Sequence, residues 1–327
     1  MHALICGGQH RILKGATATL RRLAAAKTRD PIFWLIVSGC LLVAGIGVGT
    51  VMMIGDFRER ALANNERELE NTVMLLTRHF DQQFEDAEIV ANDVIRQTQL
   101  SDIETPEAFR DKMSTLEMHE LLKLKVSALS YIGDVEVFDA DGKLINWSGP
   151  WPIPKAVISE SGSFKAFKSD PHSRMIMAEP VRNISTGGWT TVIAHRLNAP
   201  NGAFLGVMSR RVEPAKYEKF FASVALGPGA AIALFHIDGT MLARYPKADD
   251  LIGQNFKTAP LLQRVQHHGG LQTQRVESPI DHRDRLAAAA ALNDSPIVVV
   301  ATNTIAAALA DWRAQTRLLV LAAYRPS

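Results

Sequence analysis

VEVFDADGKLINWSGPWP, at residues 135–152, shares its pattern with IALFHIDGTMLARYP, at residues 232–246. Each stretch consists of an apolar strand, an Asp-Gly pair and a second apolar strand, which is the sequence form of a β-hairpin. When Asp141-Gly142 is aligned on Asp238-Gly239, Phe138 falls on Phe235. The sequence therefore contains two copies of one structural unit.

The same series of elements follows each hairpin. A loop with a short helix comes first, and three further strands follow, the last two separated by the turn sequences APNG and NDSP. These strands are predicted at Met175–Val181, Thr190–Leu197 and Phe204–Val212 in the first copy, and at Leu271–Val276, Leu286–Leu292 and Ile297–Thr302 in the second. We therefore predict an α+β fold with two tandem antiparallel modules, at residues 131–213 and 214–302.

Residues 31–55 read PIFWLIVSGCLLVAGIGVGTVMMIG and carry no charge. At ~1.5 Å per residue, this run is long enough to cross a ~30 Å hydrocarbon core. A buried core helix and a cleaved signal peptide are the alternatives. Soluble helices of this length seldom lack a polar face, and the apolar part of a signal peptide usually has only ~7–15 residues. We predict an uncleaved transmembrane helix.

The residues before this run determine its predicted orientation. Asp30 is the only acidic residue of the tail, whereas six basic residues precede the run: Arg11, Lys14, Arg21, Arg22, Lys27 and Arg29. Positive residues stay on the cytoplasmic side of a membrane. Residues 1–30 are therefore predicted to be a cytoplasmic tail at the inner membrane of a bacterium, with the body from Asp56 onward in the periplasm.

Residues 56–130 are predicted to be a long helix and a helical lead-in to the first module. The apolar residues of the long helix recur at three-, four- or seven-residue steps: Leu62, Leu69, Val73, Leu76, Phe80, Phe84, Ala87 and Ala91. A second helix is predicted at Pro106–Leu129. The stripe packs on its own domain, on a second copy of the chain, or on both. Because Gly45 and Gly49 also permit close helix approach in the span, we expect a homodimer.

Residues 303–327 are predicted to form a C-terminal helix that continues into the apolar run Leu318–Ala323. This run begins like a second membrane span, but Arg325 and Pro326 interrupt it well short of the ~20 residues that a span needs. We therefore expect a truncated or frameshifted receptor, or one that has lost its output domain and cannot signal alone.

The order of these elements resembles the double Cache (PAS-like) sensor domains of bacterial membrane receptors of the diguanylate cyclase and histidine kinase type. The resemblance rests on four sequence segments: FDADGKLINWSGPWPIP, EPVRNISTGGWTTVIAHRL, GAFLGVMSRRVEPAKYEKFFASVALGPGAAIALFHIDGTMLARYP and DWRAQTR. The resemblance implies an extracytoplasmic sensor that binds a small molecule in its first, membrane-distal module. The second module would then transmit or tune the resulting movement.

The sequence departs from the family pattern in the helix-bearing loop of the first module. The family usually places an Asp-Arg pair and an aromatic residue ahead of a Phe, whereas the matching stretch here reads Glu160-Ser161-Gly162-Ser163-Phe164. Phe164 is kept, but Ser161 and Ser163 replace the Arg and the aromatic residue. An Arg at that position can pair bidentately with a ligand carboxylate, so its loss leaves open which class of ligand is bound.

Composition and motifs point away from several other classes of protein. The net charge is +2, with 21% charged residues, which gives no basic surface for nucleic acid. Cys6 and Cys40 are the only cysteines, which excludes disulfides and thiolate metal sites from the body. No catalytic motif is recognisable, so we predict no enzyme activity, no cofactor and no metal site. His195 is expected to be a sheet residue and not a catalyst.

A PAS-like pocket lies between the sheet and the helix-bearing loop and combines aromatic walls with a few polar groups. Six residues of the first module fit this description and are predicted to bind the ligand: Trp147, Trp151, Arg174, Met177, Glu179 and Trp189. The sequence thus favours a membrane-anchored sensor. A membrane-tethered scaffold without a small-molecule ligand and an anchored periplasmic enzyme remain as alternatives.

Overall fold

The structure, a computed structural model, describes residues 31–97, 103–127, 133–178, 180–182, 188–212, 214–224, 226–293 and 295–323. Its helices are α1 (Pro31–Gln97), α2 (Pro106–Met113), α3 (Leu116–Ser127), α4 (Gly162–Ser169), α5 (Pro214–Val224), α6 (Pro260–His268), α7 (Ile305–Ala308) and α8 (Ala310–Ala323). The strands are β1 (Val135–Asp139), β2 (Leu144–Trp147), β3 (Met175–Met177), β4 (Val181–Arg182), β5 (Trp189–Asn198), β6 (Phe204–Val212), β7 (Ala230–His236), β8 (Met241–Tyr245), β9 (Gln272–Glu277), β10 (Asp284–Ala291) and β11 (Ile297–Thr304).

The strands form two antiparallel sheets with the same internal order. The first sheet runs β2-β1-β6-β5-β3, with β4 also paired to β5, and the second runs β8-β7-β11-β10-β9. Each order places the opening hairpin beside the last strand of its module. The prediction of an α+β fold with two tandem antiparallel modules is confirmed.

One predicted strand of the first module is divided in the structure. Residues Met175–Val181 were expected to form a single strand, but β3 ends at Met177 and β4 begins at Val181, both paired to β5. Pro180 lies between them, and a proline has no N–H to donate to the ladder. The break therefore follows from the backbone chemistry of Pro180.

Strand alternation produces two covered faces on the second sheet. On β11, Val298 and Val300 belong to the hydrophobic cluster that includes residues of α6. Val299 and Ala301, which alternate with them, belong to the cluster that includes the stripe of α1. The sheet is thus packed between α1 on one face and α6 on the other, as a side-chain period of two requires.

The apolar stripe of α1 is buried over five of its predicted members. Their exposed fractions do not exceed 7%: Leu69, Val73, Leu76, Phe80 and Phe84. Ala87 and Ala91 lie outside the residues whose side chains the structure describes. The stripe packs against residues of the second sheet such as Leu234 and Val299, which bears out packing on the chain's own domain.

The helical lead-in differs from the predicted single helix at Pro106–Leu129, because it is two helices with a break at Ser114. The side chain of Asn146 on β2 stabilises the break. Its Nδ2 donates to the carbonyl oxygens of Met113, at 2.7 Å, and Thr115, at 3.1 Å. The buried amide thus bonds to a carbonyl group at the end of α2 and also to the Thr115 carbonyl, which accepts from the backbone N–H of His119 at the start of α3.

Contacts divide the chain into two compact units, one of which comprises Leu62–Asp311 and holds both modules. Of the residues that the structure describes, the other contains 31–61 and 312–323. Within it, the indole Nε1 of Trp312 donates to the carbonyl oxygen of Ile54 at 2.9 Å. Among the described residues, α1 alone is long and apolar enough to cross a membrane, with a most apolar window of mean hydropathy 2.3 that is not buried.

Candidate ligand-binding site

The first sheet has one face covered by the helix-bearing loop, which we call the loop-side face. Phe138 of β1 packs there against Phe164 of α4. Glu136 lies two residues earlier on β1 and therefore shares this face. Its register partners are Trp147 on β2 and Ser209 on β6. The two central strands and the edge strand thus bring a carboxylate, an indole and a hydroxyl together under the loop.

Glu136 is the centre of a polar cluster on this face. It is 4% exposed, its Oε1 forms an ion pair with Nη2 of Arg211, and its Oε2 accepts a hydrogen bond from Ser209 Oγ at 3.3 Å. Burial raises the pKa of Glu136, and the charge of Arg211 opposes that rise. A buried carboxylate is stable only when it is paired in this way. The cluster therefore places a directly paired carboxylate and guanidinium on the loop-side face of the sheet.

Arg196 of β5 holds α4 against the same face. Its Nη1 donates to the carbonyl oxygen of Phe167 in α4, and its guanidinium lies 4.5 Å from the ring centroid of Phe204. Burial lowers the pKa of Arg196. A cation over an aromatic ring is favourable and becomes more so when water is excluded. Arg196 thus positions the helix that closes this side of the module.

Ser161, which replaces the arginine of the family pattern, caps α4. Its Oγ accepts a hydrogen bond from the backbone N–H of Phe164 at 3.3 Å. A serine in this position satisfies one of the free N–H groups at a helix start. The residue therefore has a structural role here, and the loop lacks the guanidinium that an arginine would supply.

Of the predicted ligand residues, two lie near the hairpin and a third lies just before β3. Trp147 is half-buried on the loop-side face, and its Nε1 donates to the carbonyl oxygen of Pro150 at 2.9 Å. Trp151 is 48% exposed, and its ring meets the buried His119 of α3 edge-on, with 5.0 Å between centroids. Arg174 is exposed just before β3.

Two others contact the second module. Met177 is on the face of β3 opposite the loop and packs against the cluster that includes Phe84 and Leu234. The Nε1 of Trp189 donates to the carbonyl oxygen of Asp249 at 2.7 Å. Both side chains therefore lie where the modules meet and not under the loop.

Glu179 lies outside the described residues. Of the five predicted residues that the structure describes, Trp147 is the member that the strand register places on the loop-side face. The structure thus does not gather the five under the loop, and ligand binding by each of the six stays a prediction.

Sequence reasoning missed the polar cluster of Glu136, Ser209 and Arg211. A signal for it existed, because Glu136 interrupts the apolar strand VEVF and both Ser209 and Arg211 lie in the strand VMSRRV. Charged residues are rarely buried without a partner. The spacing alone did not show that the two strands are neighbours, which is what brings the charges together.

His195 lies on the opposite face of β5, beside Met175 and Met208 in the register. Burial, helped by the positive charge of Arg210, lowers its pKa to about 4, so the ring is neutral at pH 7. Among the described residues, no group of three His, Cys, Asp or Glu side chains is arranged to hold a metal ion.

Comparison with known proteins defines the class to which this fold belongs. Residues 214–302 match the dCache_1-like family model, which is described as a histidine kinase sensor domain. No curated protein sequence matches the chain. The family match thus covers the second module.

Solved structures extend the similarity to both modules. The extracellular domain of rpHK1S-Z16, which is described as a histidine kinase, is 25% identical with a TM-score of 0.63, over 74% of this chain and 95% of that one. The periplasmic sensory domain of the Campylobacter jejuni chemoreceptor Tlp1 has 11% identity and a TM-score of 0.59, over 75% and 96%. The ligand-binding domain of the Pseudomonas fluorescens chemoreceptor CtaA, solved with L-isoleucine, has 14% identity and a TM-score of 0.53, over 78% and 98%.

The fold is that of the sensor domains of bacterial receptors. More particularly, it is the tandem PAS-like Cache fold of the periplasmic sensor domains of histidine kinases and chemoreceptors, as the family resemblance implied.

Proposed function

We propose that this chain is the ligand-binding sensor region of a bacterial signal-transduction receptor. The observation that carries the proposal is the pair of sheets of identical order, in a chain that aligns with 95% of the extracellular domain of a protein described as a histidine kinase, at 25% identity. The region senses and does not catalyse, in keeping with its match to a sensor-domain family.

The proposed ligand is a small amino acid bound in the first module, on the loop-side face. The charge pair of Glu136 and Arg211 supports this choice, because an α-amino acid carries one group of each sign and would bind by replacing the contact between the two side chains. The CtaA domain of similar fold was solved with L-isoleucine, which supports the same class. Trp147 lies on this face and would provide an aromatic wall. Contact of the ligand with the other five predicted residues belongs to the same proposal.

The receptor is proposed to be anchored in the inner membrane through the apolar part of α1, with its modules in the periplasm. The six basic residues before the span support this orientation, and the extracellular relative supports export. A phosphatase reporter fused after Arg317 is expected to be active. If only a reporter that works in the cytoplasm were active at this position, the proposed orientation would be wrong.

A homodimer through α1 is proposed as well. Met74 and Leu75, beside the buried stripe, are 40% and 66% exposed and are available to a second copy. Cysteines placed along residues 61–76 are expected to crosslink with helical periodicity, and a flat profile would count against the dimer.

A thermal-shift screen of the full-length chain in detergent micelles against the common amino acids tests ligand binding. A ligand that binds the folded state raises the Tm, so we expect a rise for a small subset. Glu136→Gln keeps the shape of the side chain but removes its charge, and we expect affinity for the best amino acid to fall at least tenfold.

The matched control is Glu277→Gln, an exposed glutamate of the second module, which should bind as the wild type does. Two results would contradict the proposal: no amino acid raises the Tm, or Glu136→Gln retains wild-type affinity. The first would favour a scaffold without a small-molecule ligand.

A further inference from the structure

The second module contains a cavity of about 90 Å³ between its sheet and α6. Most of its wall is apolar, with Phe235, Leu261 and Val300 among the lining residues. Four polar side chains also line it: Arg244, Ser278, Arg285 and Thr302. Since one water needs roughly 10–15 Å³ on this measure, the space suits a molecule of a few heavy atoms. A small ligand would thus meet an apolar wall and two guanidinium groups.

The charge of Arg285 is balanced within the protein. Its side chain is 8% exposed, and its Nη2 lies 2.6 Å from Oδ2 of Asp281. Its Nη1 donates to the carbonyl oxygen of Gly229 at 2.9 Å and to Thr302 Oγ1 at 3.2 Å. The guanidinium holds the pKa of Asp281 well below its usual range. Arg285 is therefore a fixed structural ion pair in the cavity wall.

The charge of Arg244 is not balanced in this way. Arg244 lies on β8 opposite Ala233 and is half-buried. Within the described part of the chain, its guanidinium makes no hydrogen bond or ion pair. Burial, together with the charge of Arg285, lowers its pKa, and the nearby carboxylates of Asp281 and Asp250 oppose this shift without bonding to the guanidinium. Burying a charged group is costly unless its hydrogen-bonding groups are satisfied, so the guanidinium of Arg244 is suited to bond directly to an anion that comes from outside.

In the first module, the arginine on the corresponding face of the sheet, Arg211, has a carboxylate partner. In the alignment of the hairpins, Ala233 stands at the position of Glu136, which pairs with Arg211 in the first module. Arg244 stands at the position of Trp147. The second module thus adds an arginine to the face below its loop and lacks the carboxylate.

We propose that this cavity binds a short-chain monocarboxylate, with Arg244 pairing to the carboxylate and the apolar wall enclosing the alkyl chain. An arginine fork matches a carboxylate bidentately, and ligand pockets combine an apolar wall with a few polar groups. The site lies in the module that the proposed amino-acid site does not use, so each is tested independently of the other.

Propionate is the probe, added to the full-length chain in detergent micelles and followed by the Tm and by calorimetry. We expect saturable binding and a Tm rise that equal concentrations of sodium chloride do not give. Propionamide has the same shape without the charge, and phosphate has the charge without the alkyl chain. Both are expected to bind at least tenfold more weakly than propionate.

Arg244→Met keeps the length of the side chain and removes its charge, and at least a tenfold loss of propionate affinity is expected. Arg264→Met is the matched control, because Arg264 is an exposed arginine of α6 in the same module, and it should bind like the wild type. Arg244→Lys retains the charge without the fork, so it should bind with intermediate affinity.

Three results would overturn the proposal. They are a lack of saturable propionate binding, wild-type affinity in Arg244→Met, and phosphate binding as tight as propionate binding. If Arg244→Met fails to fold, Arg244→Lys decides: wild-type affinity in that variant would overturn the role of the guanidinium fork, and weakened affinity would support it.

Discussion

The two modules share one strand order but differ in the residues that stabilise their hairpins. Asp139 in the first hairpin is fully buried, and its Oδ1 accepts from the N–H groups of Asp141 and Lys143. Arg110 of α2 donates to its Oδ2 at 2.7 Å. His236 stands at the equivalent position in the second hairpin, with its Nδ1 2.9 Å from Oδ1 of Asp238. The turn is thus the same in both modules, but different side-chain pairs stabilise it.

Sequence reasoning at this scale succeeded where the chemistry is local. The Asp-Gly turns were predictable because glycine adopts positive φ values without strain. Gly142 and Gly239 do take φ values of +79° and +98°. The position of Trp189 at the start of a strand was predictable too. Its contact with Asp249 was not, because that contact depends on how two modules pack, and no pattern within one strand contains that information.

His195 provides a prediction about pH. Its pKa is about 4 in the folded protein and ~6.5 in an unfolded chain. Below pH ~6.5 the unfolded state therefore binds the proton more readily, and the free energy of unfolding falls as the pH drops toward 4. The loss is roughly 2–3 kcal/mol. Urea unfolding of the full-length chain in detergent at pH 7 and 4.5 measures it.

His195→Gln removes the titrating group, so the variant is expected to lose less stability than the wild type over this interval. His172→Gln, at an exposed histidine of the same module, should retain the wild-type dependence. Equal losses in wild type and His195→Gln would contradict the buried, neutral state of His195.

At the scale of elements, periodicity predicted most of the strands and the stripe of α1. Periodicity failed where an element ends because of a contact with a residue elsewhere in the fold. The pattern over Pro106–Leu129 is continuous, but Asn146 on a distant strand binds the carbonyl groups of Met113 and Thr115. Such a contact becomes visible only when the sheet is formed.

Two leucines of α3 test the packing of this element. Leu122 is fully buried in the cluster with Phe109 and Met113, whereas Leu124 is 68% exposed. Leu122→Ala removes buried methyl groups and leaves a cavity, so we expect a loss of about 2–5 kcal/mol in the free energy of unfolding. Leu124→Ala should change it by less than about 0.5 kcal/mol.

Denaturant unfolding of the full-length chain in detergent micelles measures both variants. Similar losses for the two leucines would show that the face of α3 has been assigned incorrectly.

At the scale of the whole molecule, the internal repeat was sufficient to predict the fold. Two sheets of the same order lie in one compact unit, and the tandem arrangement matches sensor domains of histidine kinases and chemoreceptors. The candidate site was less accessible to prediction. The charge pair of Glu136 and Arg211 joins strands that are far apart in sequence, and Trp147 is the predicted residue that shares their face.

The central claim is that a small ligand occupies the loop-side face of the first module. Backbone amide exchange of the full-length chain, with and without a saturating amount of the amino acid that binds best, tests it most directly. The account predicts slower exchange in β1, β6 and α4, with α6 and β9 unchanged. Protection confined to the second module, or no protection at saturation, would contradict it.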